Sequence, residues 1–285
     1  MQVFDAILAR FWLNCQQSSH LQMQKIKEIW RWRGFVAELV RRDLQSRYAG
    51  STLGVLWHFI QPLMQILIYV IVFSEVMRSR LPGNPDALAY SVFLCAGLLP
   101  WQLFADILSR SATMFMDHAN LLKKSGFPRI CLPISVVLSS LLHFSIVFGF
   151  FLLLLLATGR SPGWAGLLAV PMLTLLSLMA FGLGLLVGTL SVFLRDMVQM
   201  VGIGTQFLFW LTPIVWPIQA VPASWHHWFA INPLFGLITG LQGIFLGTYQ
   251  AHLHTLLFPA ICVMIVLAVG LIYFRKLSGE VADAL

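Results

Sequence analysis

Apolar residues run along this chain in blocks of about twenty, the length a helix needs to cross the hydrocarbon of a bilayer at about 1.5 Å per residue. Six such blocks stand at residues 52–74, 88–109, 131–157, 164–193, 198–217 and 254–274. They are too long and too uniformly apolar for the alternating strands of a membrane β-barrel, so they read as helices. From Met197 to Phe274 the chain holds no Lys, Arg, Asp or Glu. That stretch is too long for one crossing and contains two, separated by a broken middle. Pro213, Pro217, Pro222 and Pro233 interrupt it, and Trp210, Trp216, Trp225 and Trp228 crowd around them. Proline stops a helix from continuing and tryptophan favours the membrane boundary, which predicts one or two short re-entrant helices in the outer leaflet between spans five and six. Irregular backbone at that depth needs protein or water around it, so an outer gate and a rigid cap both fit the pattern.

Composition agrees with the pattern. Of 285 residues, 59% are hydrophobic and 10% charged, with a mean hydropathy of +0.83. A soluble domain carries about 25% charged residues, so this chain cannot cover a water-facing surface. The expected fold is an all-α polytopic membrane protein with six transmembrane helices. Residues 51–285 form the transmembrane domain, and 1–50 form a cytoplasmic amphipathic interface region.

Charge placement sets the orientation. With both termini in the cytoplasm, the inner segments carry Arg10, Lys25, Lys27, Arg31, Arg33, Arg41, Arg42, Arg47, Arg110, Lys123, Lys124, Arg129, Arg195, Arg275 and Lys276, leaving Arg78, Arg80 and Arg160 outside. That asymmetry is the positive-inside signature, and it places the chain in a cytoplasmic membrane. The net charge of +7 then points to anionic headgroups rather than nucleic acid.

In the first fifty residues Phe4, Ile7, Leu8 and Phe11 recur at helical spacing. Trp30 and Trp32 sit among Lys25, Lys27, Arg31 and Arg33, as at a headgroup boundary. Val36, Leu39 and Val40 form a second apolar stripe against Arg41, Arg42 and Asp43. A surface helix meeting a cytoplasmic partner and a plain membrane anchor explain the stripe equally well. The first apolar block starts near Thr52, so no cleavable signal peptide is expected.

Catalytic and metal chemistry find little support. Cys15, Cys95, Cys131 and Cys262 are scattered without ligand spacing. The chain lacks GxxxxGK, HExxH and GxSxG. His226 and His227 are adjacent and diverge on a helix, while His252 and His254 suit a strand; no metal site is expected. The polar residues inside the spans carry more information, because lipid penalises them. His58, Gln61, Gln65 and Tyr69 share one face of span one, which must look into protein or a wet cavity: a translocation path or interhelical hydrogen bonds. Asp106 and Arg110, four apart, read as a structural pair. Gly182, Gly184 and Gly188, with Gly236, Gly240, Gly243 and Gly247, mark sites of close packing.

Four ordered segments resemble one family. Arg42-Asp-Leu-Gln-Ser-Arg-Tyr-Ala-Gly-Ser-Thr-Leu-Gly-Val-Leu-Trp57 with Gln61-Pro62 is similar to the start of span one in ABC-2 type permeases. Within that family it resembles the exporters of O-antigen, capsule and teichoic acid. Asn120-Leu-Leu-Lys-Lys-Ser-Gly-Phe-Pro-Arg129 resembles their cytoplasmic loop, and Phe193-Leu-Arg-Asp196 their loop before span five. Leu211-Thr-Pro-Ile-Val-Trp-Pro217 with Ile231-Asn-Pro233 resembles their proline-rich segment. The likeness covers roughly residues 35 to 275.

The resemblance implies a homodimer docked on two separate ABC ATPase subunits, which bind the ATP and magnesium; this chain needs no cofactor and is no enzyme. It implies a lipid-linked glycan as substrate. By the same resemblance, Val36 to Arg47 and the loop residues Asn120, Lys123, Lys124, Phe127, Pro128 and Arg129 transmit ATP-driven closure. The loop cations suit an acidic partner groove or headgroups. Trp57, Tyr69, Phe73, Trp101 and Phe104 would offer flat faces to sugars along the path. Arg41, Arg42 and Arg47 would meet a lipid diphosphate through paired bonds, and Pro213, Trp216, Pro217, Pro222, Asn232 and Pro233 would form the outer gate. Export of a smaller lipid-like drug or signal molecule is the alternative within the family. A membrane transferase would need acids or histidines gathered at one interface, and a proton-coupled transporter would need carboxylates at mid-membrane; Glu75 and Asp106 stand near span ends.

Overall fold

The computed structural model describes residues 32–46, 54–76, 81–82, 86, 88–123, 128–194, 196–248 and 253–284. Among these the regular structure is helical throughout, without a strand. A peripheral helix α1 (Arg33–Ser46) precedes α2 (Trp57–Val70), which continues in wide π turns over Ile71–Val76. Next come α3 (Ala89–Asp117), the single-turn α4 (Ala119–Leu122) and α5 (Cys131–Ala157). A 3₁₀ segment over Gly163–Leu168 leads into α6 (Ala169–Phe193). The chain ends with α7 (Met197–Leu211), the short α8 (His226–Ala230), α9 (Pro233–Leu246) and α10 (Leu253–Ala284). The expected amphipathic helix around Phe4 and the boundary at residue 50 lie outside the described residues.

Among the described residues, five segments are long and apolar enough to cross a membrane: Trp57–Ser74, Ala89–Asp117, Cys131–Ala157, Gly163–Phe193 and Leu256–Gly279. The fifth predicted block behaves differently. Expected over 198–217, its helix stops at Leu211 after 15 residues, a length of about 22 Å. Thr212 turns extended (φ −108°, ψ 133°), because the ring of Pro213 disfavours helical backbone in the residue before it. The second block departs the other way and runs on to Asp117. Its polar residues Ser109, Arg110 and Ser111 do not end the helix.

Helix α3 is the spine of the bundle. In its apolar stretch 78% of the residues are buried, against 22% for span one and 17% for the last span. It packs against α5, α6, α7 and α9, while α10 lies along α6. Glycine allows two close approaches to backbone. A Cβ on Gly188 would stand 2.5 Å from the Ser111 carbonyl oxygen of α3, and one on Gly270 of α10 would strike the Gly182 carbonyl of α6. Without a hydrophobic drive between helices in lipid, such backbone contact is what draws them together. The small-residue pattern of span four therefore serves packing within this chain. Around it Phe104, Ile107, Phe151, Leu176, Leu237 and Leu241 fill the core, all under 1% exposed.

Helix α1 packs against the start of α5, beside the Asp117 end of α3. The proline-rich segment crosses the opposite end of the bundle.

Candidate functional site

The polar residues of the spans converge on a cavity of about 310 Å³. Helix α2 fixes one wall: His58, Pro62 and Ile66, four apart, are its buried seam, which turns Gln61 and Gln65 into the opening. Helix α3 adds Gln102 and Asp106, α5 adds Ser140 and His143, and Leu99, Leu103, Phe144 and Val147 complete the lining. Ser140 Oγ donates to Asp106 Oδ2 at 2.6 Å, tying α3 to α5, and Gln65 Nε2 donates to Tyr69 Oη at 2.9 Å. Amides, a hydroxyl, an imidazole and a carboxylate offer donors and acceptors together, a set matched to neutral hydroxyl groups. Among the described residues no three His, Cys, Asp or Glu gather as metal ligands.

The face expected from span one thus divides. Gln61 and Gln65 line the cavity, Tyr69 supports Gln65, and His58 is buried in the seam. Trp57 is half-buried, and Phe73 meets the ring of Tyr90 at 5.4 Å. Trp101 and Phe104 are 6% and 0% exposed. They pack on one another at 5.6 Å, and Trp101 on Phe209 of α7 at 5.7 Å, so within one chain they join helices rather than line the cavity. Gln102, Ser140 and His143 were not expected there. The sequence signal was available, since three polar side chains in apolar blocks need a wet or polar neighbour.

At the α1 end, Val36 and Val40 close over Cys131, flanked by Trp32, Leu44 and Ile134. The opposite face of α1 carries exposed Arg41 and Arg42, the latter donating from Nε to Glu38 at 2.8 Å. Arg110 sits between elements. Its Nη2 donates to Asp43 Oδ1 at 2.5 Å, and its Nη1 to Ser139 Oγ at 2.9 Å and Ser140 Oγ at 3.2 Å. The pair with Asp106 expected from spacing is present at 3.7 Å, but the guanidinium is shared with α1. Asn120 and Lys123 are exposed, while Leu122 anchors their turn against the cluster of Met114, Phe115 and Leu132. Pro128 and Arg129 are half-buried; Arg47, Lys124 and Phe127 lie outside the described residues.

At the far end the strap from Thr212 to Pro233 is held by neutral hydrogen bonds. Gln242 of α9, 3% exposed, donates from Nε2 to the carbonyls of Pro213 at 3.0 Å and Ile214 at 3.3 Å. Tyr90 Oη donates to the Val215 carbonyl at 2.6 Å. Asn232 Nδ2 donates to Thr212 Oγ1 at 3.0 Å, and its Oδ1 accepts from Leu234 N–H at 3.0 Å. It thereby caps α9, with Pro233 at the first helical position. Trp216 meets Phe229 at 5.2 Å, Pro217 lines a second cavity of about 230 Å³, and Pro222 is exposed. A Cβ at Gly97 would strike the Gln242 amide, so glycine makes room for it. Tyr90, Gly97 and Gln242 were not expected from the sequence, although Gln242 is a lone amide in an apolar run. Beside the strap, Asp86 pairs with Arg160 at 2.5 Å, and the guanidinium holds the carboxyl below its ordinary range.

Long apolar helices packed into one bundle define a multi-pass membrane protein. Residues 35–246 match the ABC-2 type transporter family, and the chain belongs to it. It is 32% identical over 250 residues to the O-antigen export system permease protein RfbA of Klebsiella pneumoniae, covering 87% of this chain and 93% of that protein. It is 33% identical over 223 residues to RfbA of Myxococcus xanthus, covering 77% and 83%. To the polysialic acid transport protein KpsM of Escherichia coli it is 22% identical over 241 residues, covering 84% and 92%.

Proposed function

We propose that this chain is the membrane-spanning permease subunit of an ATP-driven exporter, moving a lipid-linked, O-antigen-like polysaccharide across the cytoplasmic membrane. The observation that carries the reading is the cavity between α2, α3 and α5, whose Gln61, Gln65, Gln102, Ser140 and His143 side chains suit sugar hydroxyls. Relatives named for O-antigen export, similar over most of their length, support the same substrate class.

The subunit works as a homodimer with two ABC ATPase subunits, which bind ATP and magnesium. The exposed apolar side chains of α7, Met200, Ile203, Phe207 and Trp210, and of span one, Leu63, Leu67 and Ile71, would face the second copy, as other exposed apolar side chains face lipid. The path runs between the copies along Gln61, Gln65 and Tyr69, with Trp57 and Phe73 beside it, His58 behind it, and Trp101 and Phe104 backing its wall. The α1 end faces the cytoplasm. There Arg41, Arg42 and Arg47 meet the lipid diphosphate, while Asn120 through Arg129 and α1 receive the ATPase. The strap of Pro213, Trp216, Pro217, Pro222, Asn232 and Pro233 is the outer gate.

Removing this chain from its host tests the reading. Polymeric glycan should leave the cell surface and accumulate, lipid-linked, at the cytoplasmic membrane. Restoring a variant with both Gln61→Leu and Gln65→Leu should leave that accumulation uncorrected while the protein remains in the membrane. Unchanged surface glycan in the deletion would sink the glycan reading in favour of a smaller lipid-like cargo.

A further inference from the structure

We propose that Arg110 is a positioning residue that couples the location of α1 to the wall of the polar cavity; this rests on the transport reading above. One guanidinium reaches three helices. It holds Asp43 of α1 at 2.5 Å, Ser139 and Ser140 of α5 at 2.9 and 3.2 Å, and Asp106 of its own helix α3 at 3.7 Å. Ser140 and Asp106, joined to each other at 2.6 Å, are both cavity lining. The chain of contacts therefore runs from α1 to the cavity without a gap.

The surroundings give that chain leverage. The apolar attachment of α1 is a small cluster, Val36 and Val40 on Cys131 with three partly buried neighbours. The side chains of Arg110, Asp43 and Asp106 are 23%, 31% and 33% exposed, buried enough that water only partly replaces a lost partner. A shift of α1 must either pull the guanidinium along or leave Asp43 behind. Pulling it removes the donor shared by Ser139 and Ser140 and loosens the Ser140–Asp106 tie between α3 and α5. Two discrete arrangements of one charge network are what transmits a displacement; a continuous elastic strain in a packed bundle would not. Arginine suits the task because its planar fork spreads five donors toward acceptors on separate helices, where lysine offers three donors on a single nitrogen.

The test uses the permease purified with its ATPase and reconstituted into vesicles, with ATP hydrolysis and glycan delivery read on the same preparation. Arg110→Lys keeps the charge and loses the fork. Asp43→Asn keeps the shape and loses the charge on α1. Both should hydrolyse ATP within about twofold of the parent, while glycan delivered per ATP falls about tenfold, a ratio equivalent to about 1.4 kcal/mol of coupling. Asp86→Asn, which removes an ion pair at the other end of the bundle, should leave the ratio unchanged. Hydrolysis and delivery falling in proportion, or an unchanged ratio in both Arg110→Lys and Asp43→Asn, would overturn the coupling role. If one of those variants fails to assemble, the other decides. A parent complex that binds and hydrolyses ATP yet delivers nothing overturns the transport reading itself, and the coupling role with it.

Discussion

The two ends of this bundle hold their peripheral elements by opposite chemistries. At the far end, the strap is fixed by neutral donors to backbone carbonyls: Gln242 to Pro213 and Ile214, Tyr90 to Val215, Asn232 to Thr212. At the α1 end, a peripheral helix is fixed by a small apolar cluster and one shared guanidinium. The prolines of the strap interrupt helical bonding, and the freed carbonyls must find partners within the protein. Each neutral bond there is local and hard to exchange. At the α1 end a single guanidinium ties three helices, so displacing the peripheral helix disturbs all its partners together. The contrast separates an end held by neutral bonds to backbone carbonyls from an end held through one shared charge.

The largest expected stability effect tests the far end. Gln242→Leu keeps the volume but strands two buried carbonyls, at a cost of about 1–3 kcal/mol for each acceptor left unsatisfied. A lowered unfolding temperature in detergent and a strap newly open to proteolysis would report it. If stability is untouched, the carbonyls have other partners and the contrast between the ends fails.

Tyr90→Phe sharpens the comparison at smaller scale. It removes one hydroxyl from the Val215 carbonyl and should cost about 1 kcal/mol. Combined with Gln242→Leu, it should lose less than additively, because both residues pin the same strap. Strict additivity in a double-mutant cycle would show two independent contacts.

The smallest effect is a pH dependence. The Arg160 guanidinium lowers the Asp86 carboxyl below its ordinary 3.8 in the folded chain. Its contribution is therefore present above that value and is lost as pH falls through the depressed one. A partly exposed pair is worth under about 1 kcal/mol. Unfolding temperature should drop slightly more on acidification for the parent than for Asp86→Asn, and equal drops would remove this pair from the far end's supports.

Much of the architecture was legible along the chain. Four of the six apolar blocks became full-length spans close to their expected positions, and span two ran on further, because continuous apolar length constrains a helix in lipid without reference to its neighbours. The prolines likewise announced the broken strap, and α7 stopped earlier than expected because Pro213 acts on the residue before it. Spacing alone found the Asp106–Arg110 pair, since four residues bring side chains together on any helix. Spacing says nothing of which helix stands opposite. It left open whether Gln61 and Gln65 face a cavity or another helix, and it could not separate them from Trp101 and Phe104, which the bundle buries between α3 and α7.

Sequence by itself determined that the chain is a helical membrane protein, and roughly where it crosses, because both follow from local composition and a fixed rise per residue. The tertiary structure decided that Gln102, Ser140 and His143 share a cavity with Gln61 and Gln65, that Gln242 holds the strap, and that Asp43 reaches Arg110 across 67 residues of chain. Those partnerships depend on which faces of separate helices meet. That is set by packing at glycines such as Gly182 and Gly188, where backbones approach closely enough to fix the rotation of every side chain around them.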